Sequence, residues 1–164
     1  MNKDVAGLVV TTPSDREIAM TRSFKAPRAL VFEALTKPEL VRRWLLGPDG
    51  WTMTVCEIDL RVGGAYRYAW RNDEGHEMGM GGTYQEIKSP ERIVSTEKFD
   101  ESWYPGEAVG TVELAENDGR TVLTQTVRYD NKEARDAVLK SPMESGVSAG
   151  YDRMEQILAT ELSQ

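Results

Sequence analysis

One histidine, His76, and one cysteine, Cys56, are all the imidazole and thiol in this 164-residue chain. That scarcity removes most nucleophilic and metal chemistry at once. A Ser–His or Cys–His pair needs its base held within hydrogen-bond reach, whereas His76 follows Gly75 at a predicted turn, between Glu74 and Glu77. An exposed turn histidine is the simpler expectation, with a Cys–His pair across strands as the alternative. A zinc site needs about four ligands, and one histidine with one distant cysteine supplies no recognisable spacing. Cys56 reads as a small hydrophobe on a strand, and its being alone favours a reducing cytoplasm. The glycine pairs Gly63-Gly64 and Gly81-Gly82 lack the Gly-x-x-x-x-Gly-Lys-Ser/Thr spacing that cradles phosphate. No cofactor, no metal and no catalytic residue are assigned.

Two other groupings carry more. Asp59 and Arg61 stand two apart, so on a strand they share a face. They read first as a salt bridge pinning the Gly63-Gly64 bend, and second as a polar group at a cavity floor. Tyr66, Tyr68 and Trp70 alternate with Ala65, Arg67, Ala69 and Arg71, the clearest period-two run in the chain. Trp44, Trp51, Trp103, Tyr104 and Tyr151 can converge on the same side. Aromatic rings with polar tips suit a pocket that orients a mainly apolar ligand; the alternative is that they only fill a core. On the pocket reading its wall is Tyr66, Tyr68, Trp70, Met80, Thr124, Tyr151 and Met154, joined by Trp44 and Trp103. Methionines 78, 80, 143 and 154 would let it adapt in shape. The whole set depends on register, since a one-residue slip turns each side chain to the other face.

The elements that must hold these residues follow from periodicity. Glu17–Phe24 alternates as a strand, with Ile18, Met20 and Arg22 on one side. Pro27 opens a short helix with Leu30, Val31, Ala34 and Leu35, and Pro38 opens a second with Leu40, Val41, Trp44 and Leu45. From Trp51 the chain turns strand-like. The run Gly79-Met80-Gly81-Gly82 implies strong curvature or a second backbone close by, and Asn117-Asp118-Gly119 is the strongest hairpin signal. Asn131–Leu139 is a short helix. Ser141–Leu162 is a long one, with Val147, Tyr151, Met154, Leu158 and Leu162 on one face and Ile157 widening the stripe. Gly146 and Gly150 cost that helix roughly 1 kcal/mol each, which raises the expectation of a close neighbour.

Composition sets the outer limits. Hydrophobic residues at 40% and charged residues at 29% can build an ordinary core. The length fits one domain, residues 1–164, with residues 1–14 as a loose polar lead-in. A net charge of −7 disfavours nucleic acid and anionic membrane surfaces as partners, and no apolar run approaches the roughly 20 residues of a membrane span.

The order strand, two short helices, meander and long helix resembles the START-like (Bet v-like, SRPBCC) superfamily. Within it, the chain is most similar to domains related to the activator of the heat-shock-protein-90 ATPase. The residues that carry the likeness are Thr21–Pro27, Val31–Thr36, Pro38-Glu39, Trp44, Asp59–Gly64, Gly75, Gly82, Glu86–Val94, Thr121–Thr124, Met143, Gly146 and Gly150. The family commonly shows one glycine ahead of its last helix, and this chain has two. The resemblance implies an α+β helix-grip fold: a curved antiparallel sheet of about six to seven strands around a long C-terminal helix. It also implies binding of a small hydrophobic or aromatic molecule in an internal cavity. The alternatives are a chaperone-regulating interaction module, or a cyclase- or hydrolase-like enzyme on a polyketide-like substrate. The expectation is a non-catalytic binding protein of the cytoplasm; a chaperone partner and a homodimer stay open.

Overall fold

The computed structural model describes residues 7–46, 49–101 and 106–162, with the side chain of Leu162 outside that set. Eight strands and four helices follow one another as β1 (Val9–Thr11), β2 (Glu17–Phe24), α1 (Arg28–Thr36), α2 (Pro38–Trp44), β3 (Trp51–Ile58), β4 (Ala65–Asn72), β5 (Glu77–Lys88), β6 (Arg92–Phe99), β7 (Ala108–Asn117), β8 (Arg120–Arg128), α3 (Lys132–Leu139) and α4 (Met143–Leu162). The strands form one antiparallel sheet in the order β1-β2-β8-β7-β6-β5-β4-β3. Within the stretch read as a lead-in, Val9, Val10 and Thr11 form strand β1 and pair with Thr21, Met20 and Ala19.

Local chemistry explains the joints. Lys37 ends α1 in an extended conformation and Pro38, which needs no N–H partner, starts α2. The Trp44 indole N–H then donates to the Ala34 carbonyl at 2.8 Å and fastens the two short helices together. Asp118 and Gly119 take φ of 53° and 75°, the left-handed pair of a two-residue hairpin turn between β7 and β8. Asn131 caps α3 by accepting from the Ala134 N–H at 2.8 Å.

The glycines of β5 have separate causes. An added Cβ on Gly82 would lie 1.9 Å from the Thr96 carbonyl oxygen, and one on Gly81 would lie 2.7 Å from the Tyr66 carbonyl. Gly79 lies beneath the ion pair of Arg67 and Asp100, whose two hydrogen bonds measure 2.6 and 2.5 Å. Backbone approach and a crossing salt bridge, together with a bulge between Tyr84 and Glu86, bend the middle of the sheet.

Helix α4 lies against the concave face. Tyr151, Met154, Ile157 and Leu158 are buried, and Met154 and Leu158 are 0% and 1% exposed. They join Phe24, Tyr66, Tyr84, Leu114 and Leu123 from the sheet in the main core. Arg22 reaches the helix from β2: its guanidinium donates to the Tyr151 carbonyl at 2.5 Å and pairs with Asp152 at 3.1 Å. Gly150 packs on Trp44, where an added Cβ would stand 3.4 Å from the carbonyl and 3.6 Å from the ring. Gly146 has no neighbour within 4 Å of such a Cβ, so the expected close approach exists at only one of the two glycines. Gly146→Ala should therefore raise stability by about 0.5–1 kcal/mol, the helix-propensity gain alone. Urea unfolding checks it through an increased midpoint at constant slope.

Candidate functional site

The inner face of the sheet can be followed strand by strand, because directly paired residues of antiparallel strands share a face. Tyr66, Tyr68 and Trp70 on β4 stand opposite Gly82, Met80 and Met78 on β5. Met80 stands opposite Phe99 on β6, and alternation back along β6 brings Glu97 to that face. Glu97 pairs with Ala108, and Ser95, one step further along that face, pairs with Gly110. On β8 the same face carries Leu123, which is opposite Leu114 and Arg22, and Gln125, which is opposite Val112 and Met20.

Rings cover much of this surface. Tyr66 lies 5.1 Å from Tyr68 and 5.5 Å from Tyr84 between ring centroids, and Tyr68 lies 6.2 Å from Trp70. A second line runs through α4: Tyr151 is 5.6 Å from Phe24 and 6.0 Å from Trp44. Between them the polar groups are few. The Tyr66 hydroxyl donates to the Thr96 carbonyl at 2.6 Å, and the Tyr151 hydroxyl donates to Gln125 Oε1 at 3.0 Å. Tyr68, Met80, Ser95, Glu97, Val112 and Gln125 are half-buried, in contrast to Leu123 and Met154, which are fully enclosed.

Glu97 is the unusual member. Its carboxylate lies across Gly110, where an added Cβ would come within 2.3 Å of Oε2. Among the described residues no hydrogen bond or ion pair reaches it, and no lysine or arginine offsets its burial. Desolvation alone pushes its pKa up to about 7. Burial, followed by the nearby Glu97 charge, pushes the Tyr66 and Tyr151 hydroxyls upward, and burial does the same for Tyr68. Burial pushes Tyr84 up to about 12. The phenols consequently stay protonated and act as donors, while the carboxyl changes charge near neutrality.

The predicted wall residues divide into groups. Tyr66, Tyr68 and Met80 share the inner face with Glu97, and Tyr151 and Met154 pack against that face from α4. Trp44 and Trp70 are buried beside them, yet their indole N–H groups are committed to the carbonyls of Ala34 and Leu45, each at 2.8 Å. They hold α2 in place and have no donor left for a ligand. Thr124 is a correction. It pairs with Thr21 and Glu113 on the outer face, one residue out of phase with Gln125. There it borders an open depression of about 570 Å³ with Arg28, Lys88, Glu91, Arg92 and Glu113, where Arg92 pairs with Glu113 and Arg28 with Glu91. Trp103, and Tyr104 with it, lie outside the described residues.

The remaining candidates are structural. Asp59 and Arg61 fall in the turn after β3, where Arg61 Nε donates to both carboxylate oxygens at 2.9 and 3.1 Å with both side chains exposed. His76 is exposed in the β4–β5 turn beside Asn72. Cys56 is buried, and that burial pushes its thiol up. Among the described residues no three His, Cys, Asp or Glu side chains converge as a metal site would need, and no helix is long and apolar enough to cross a membrane.

Comparison with known proteins fits this geometry. No protein with a curated description matches the chain. A crystal structure of a protein from Rhodobacter sphaeroides is 32% identical, covers 94% of this chain and 99% of its own, and superposes with a TM-score of 0.89. One from Chromobacterium violaceum is 26% identical over 88% of this chain and 98% of its own, with a TM-score of 0.73. A solution structure of an AHSA1-like protein from Aeromonas hydrophila is 18% identical, covers 86% and 93%, and has a TM-score of 0.67, which shows the fold alone. The sequence model described as activator of Hsp90 ATPase homolog 1-like protein matches residues 25–159. With that match reaching from the end of β2 through most of α4, the chain belongs to the activator of Hsp90 ATPase homolog 1-like family, within the START-like fold.

Proposed function

We propose that this protein is a cytoplasmic, non-catalytic binding protein that takes a small, mainly apolar or aromatic molecule between α4 and the inner face of the sheet. One observation carries the reading: a carboxylate with no partner among the described residues, Glu97, set among tyrosine rings beneath the helix. A face that only had to fill a core would gain more from an apolar side chain there, since burying an unpaired charge costs several kcal/mol. The half-buried state of Tyr68, Met80, Glu97 and Gln125 supports the same reading, because these side chains line up where a ligand would complete their packing. Tyr66, Tyr68, Met80, Tyr151 and Met154 are the proposed wall, with Trp103 kept from the sequence reading and Glu97, Gln125 and Tyr84 added.

Native mass spectrometry of protein purified from its own host, followed by denaturing extraction, tests the proposal. The expected result is a stoichiometric small molecule carrying at least one ring or long apolar segment. Protein that arrives empty, and that shows no mass shift with any member of an aromatic library, would overturn it.

A second reading has one specific observation behind it. A carboxyl that titrates near neutrality beside protonated phenols is the acid–base equipment of an enzyme acting on a cyclic substrate. Turnover abolished in Glu97→Gln, with ligand affinity retained, would favour it over simple binding. A chaperone-regulating role has the family's name on its side. The surface offers it less: of the exposed large apolar side chains among the described residues, only Leu60 and Val62 are near neighbours in the chain.

A further inference from the structure

We infer that the molecule bound on the inner face carries a basic nitrogen, and that its ammonium group pairs with Glu97 while its apolar part lies along the tyrosine rings. This rests on the reading of that face as a ligand site and names the chemistry of the ligand's polar end.

Three observations lead to it. First, of the two acidic groups that the register places on the concave face, Glu116 lies exposed at the hairpin end of β7 and accepts from the Arg28 N–H at 2.8 Å, which leaves Glu97 as the one without a partner among the described residues; Glu86 and Glu113 lie on the opposite face. Second, among the described residues no cation pairs with it. Arg22, the arginine of that face, is engaged with the Tyr151 carbonyl and Asp152, and it stacks 4.8 Å above the Phe24 ring. A ligand that reaches Glu97 therefore meets an acceptor whose complement must come from the ligand itself. Third, the rings beside the carboxylate are of the kind that attract cations. Tyr84, Tyr66 and Tyr68 form a continuous row with centroid spacings of 5.5 and 5.1 Å. Aromatic faces next to a carboxylate recognise ammonium groups through the ring quadrupole and the opposite charge together.

Gly110 leaves space for the acid, since an added Cβ there would stand 2.3 Å from Glu97 Oε2. Any side chain there would displace the Glu97 carboxylate from the position it occupies. A carboxylic-acid ligand is disfavoured on the same grounds, since a second anion beside Glu97 in a desolvated site is repelled. A neutral alcohol or phenol can donate a hydrogen bond but brings no charge.

Three probes that share one ring system separate these cases: 1-naphthylmethylamine, 1-naphthalenemethanol and 1-naphthoic acid. Titration calorimetry of each against the full-length protein and against Glu97→Gln is done at about pH 8, where the amine is charged and Glu97 is mostly ionised. The amine should bind about tenfold or more tightly than the alcohol, and the acid most weakly. In Glu97→Gln the amine's advantage should fall to within about twofold while the alcohol still binds. An alcohol that binds as well as the amine, an acid that binds best, or an amine preference that survives Glu97→Gln would overturn the inference and leave the ligand-site reading standing. Failure of all three probes to bind would overturn both. The wild-type comparison of amine with alcohol decides the matter even if the variant folds poorly.

Discussion

Glu97→Gln should be more stable than the wild type at about pH 8, by about 3 kcal/mol, and the difference should vanish toward acid. The carboxyl has an ordinary value of 4.5 and sits at about 7 in the folded protein, with burial as the cause. Its folded value is the higher one, so the native state holds a proton that the unfolded chain has already released. Below about 4.5 both states are protonated and the group costs nothing. As the pH climbs from there to about 7 the native state loses stability, and above that it carries the cost of a charge largely withdrawn from water. Glutamine has nearly the same shape and no charge, so it escapes this. Urea unfolding of both proteins from about pH 4 to pH 8 measures the gap directly. Curves that stay parallel throughout would mean that the carboxylate is solvated in the folded protein. Asp100 and Asp136, each held below its usual range by hydrogen bonds from arginine, act in the opposite direction and lose their contribution in acid. They are common to both proteins and cancel in the comparison.

Gly82→Ala should destabilise the protein by about 3 kcal/mol or more. The added methyl would stand 1.9 Å from the Thr96 carbonyl oxygen, a backbone atom that cannot rotate aside. Relief requires β5 and β6 to separate at that pair of residues. The Tyr66 hydroxyl, which donates to that same carbonyl at 2.6 Å, would lose its partner in a buried setting. The effect should appear as a lower urea midpoint. It contrasts in sign with Gly146→Ala, so two glycine-to-alanine changes in one chain should move stability in opposite directions. A near-neutral Gly82→Ala would show that the strands tolerate the separation, and that curvature here has some other origin.

Much of this architecture was legible because the strands announce themselves. Tyr66, Tyr68 and Trp70 alternate with charged or small residues, so their shared face follows from sequence and agrees with the register of β4 against β5. Strand β1 escaped because Val9–Thr11 is only three residues long, and only its pairing with β2 makes it a strand. Thr124 was put on the wrong face because β8 has apolar residues in both phases: Val122 in one, Leu123 and Val127 in the other. With no clean alternation, only the pairing of Leu123 with Leu114 decides the phase.

Glu97 was missed for a different reason. In Ser95-Thr96-Glu97-Lys98 it looks like one more solvated charge. The available signal was the period-two line Ile93, Ser95, Glu97, Phe99, whose apolar ends point inward. Burial of an acid contradicts the usual preference of its residue type, and such contradictions fall where a protein uses its interior for more than packing.

The pairing of β2 with β8 has a consequence for how the molecule assembles. Glu17 meets Arg128 and Phe24 meets Thr121, partners about a hundred residues apart in sequence. From β3 to β8, by contrast, each strand pairs with its immediate successor. Local hairpins close at little entropic cost, whereas the β2–β8 seam carries the loop entropy of the whole meander. During synthesis β2, α1 and α2 therefore leave the ribosome long before their partner strand exists, and Ile18, Met20 and Phe24 lack much of their core until β8 and α4 arrive. Helix α4, which follows β8 in the chain, completes the core. Until α4 docks, the tyrosine-rich concave face is open to water, which makes the closing helix the checkpoint between a folded chain and an aggregating one.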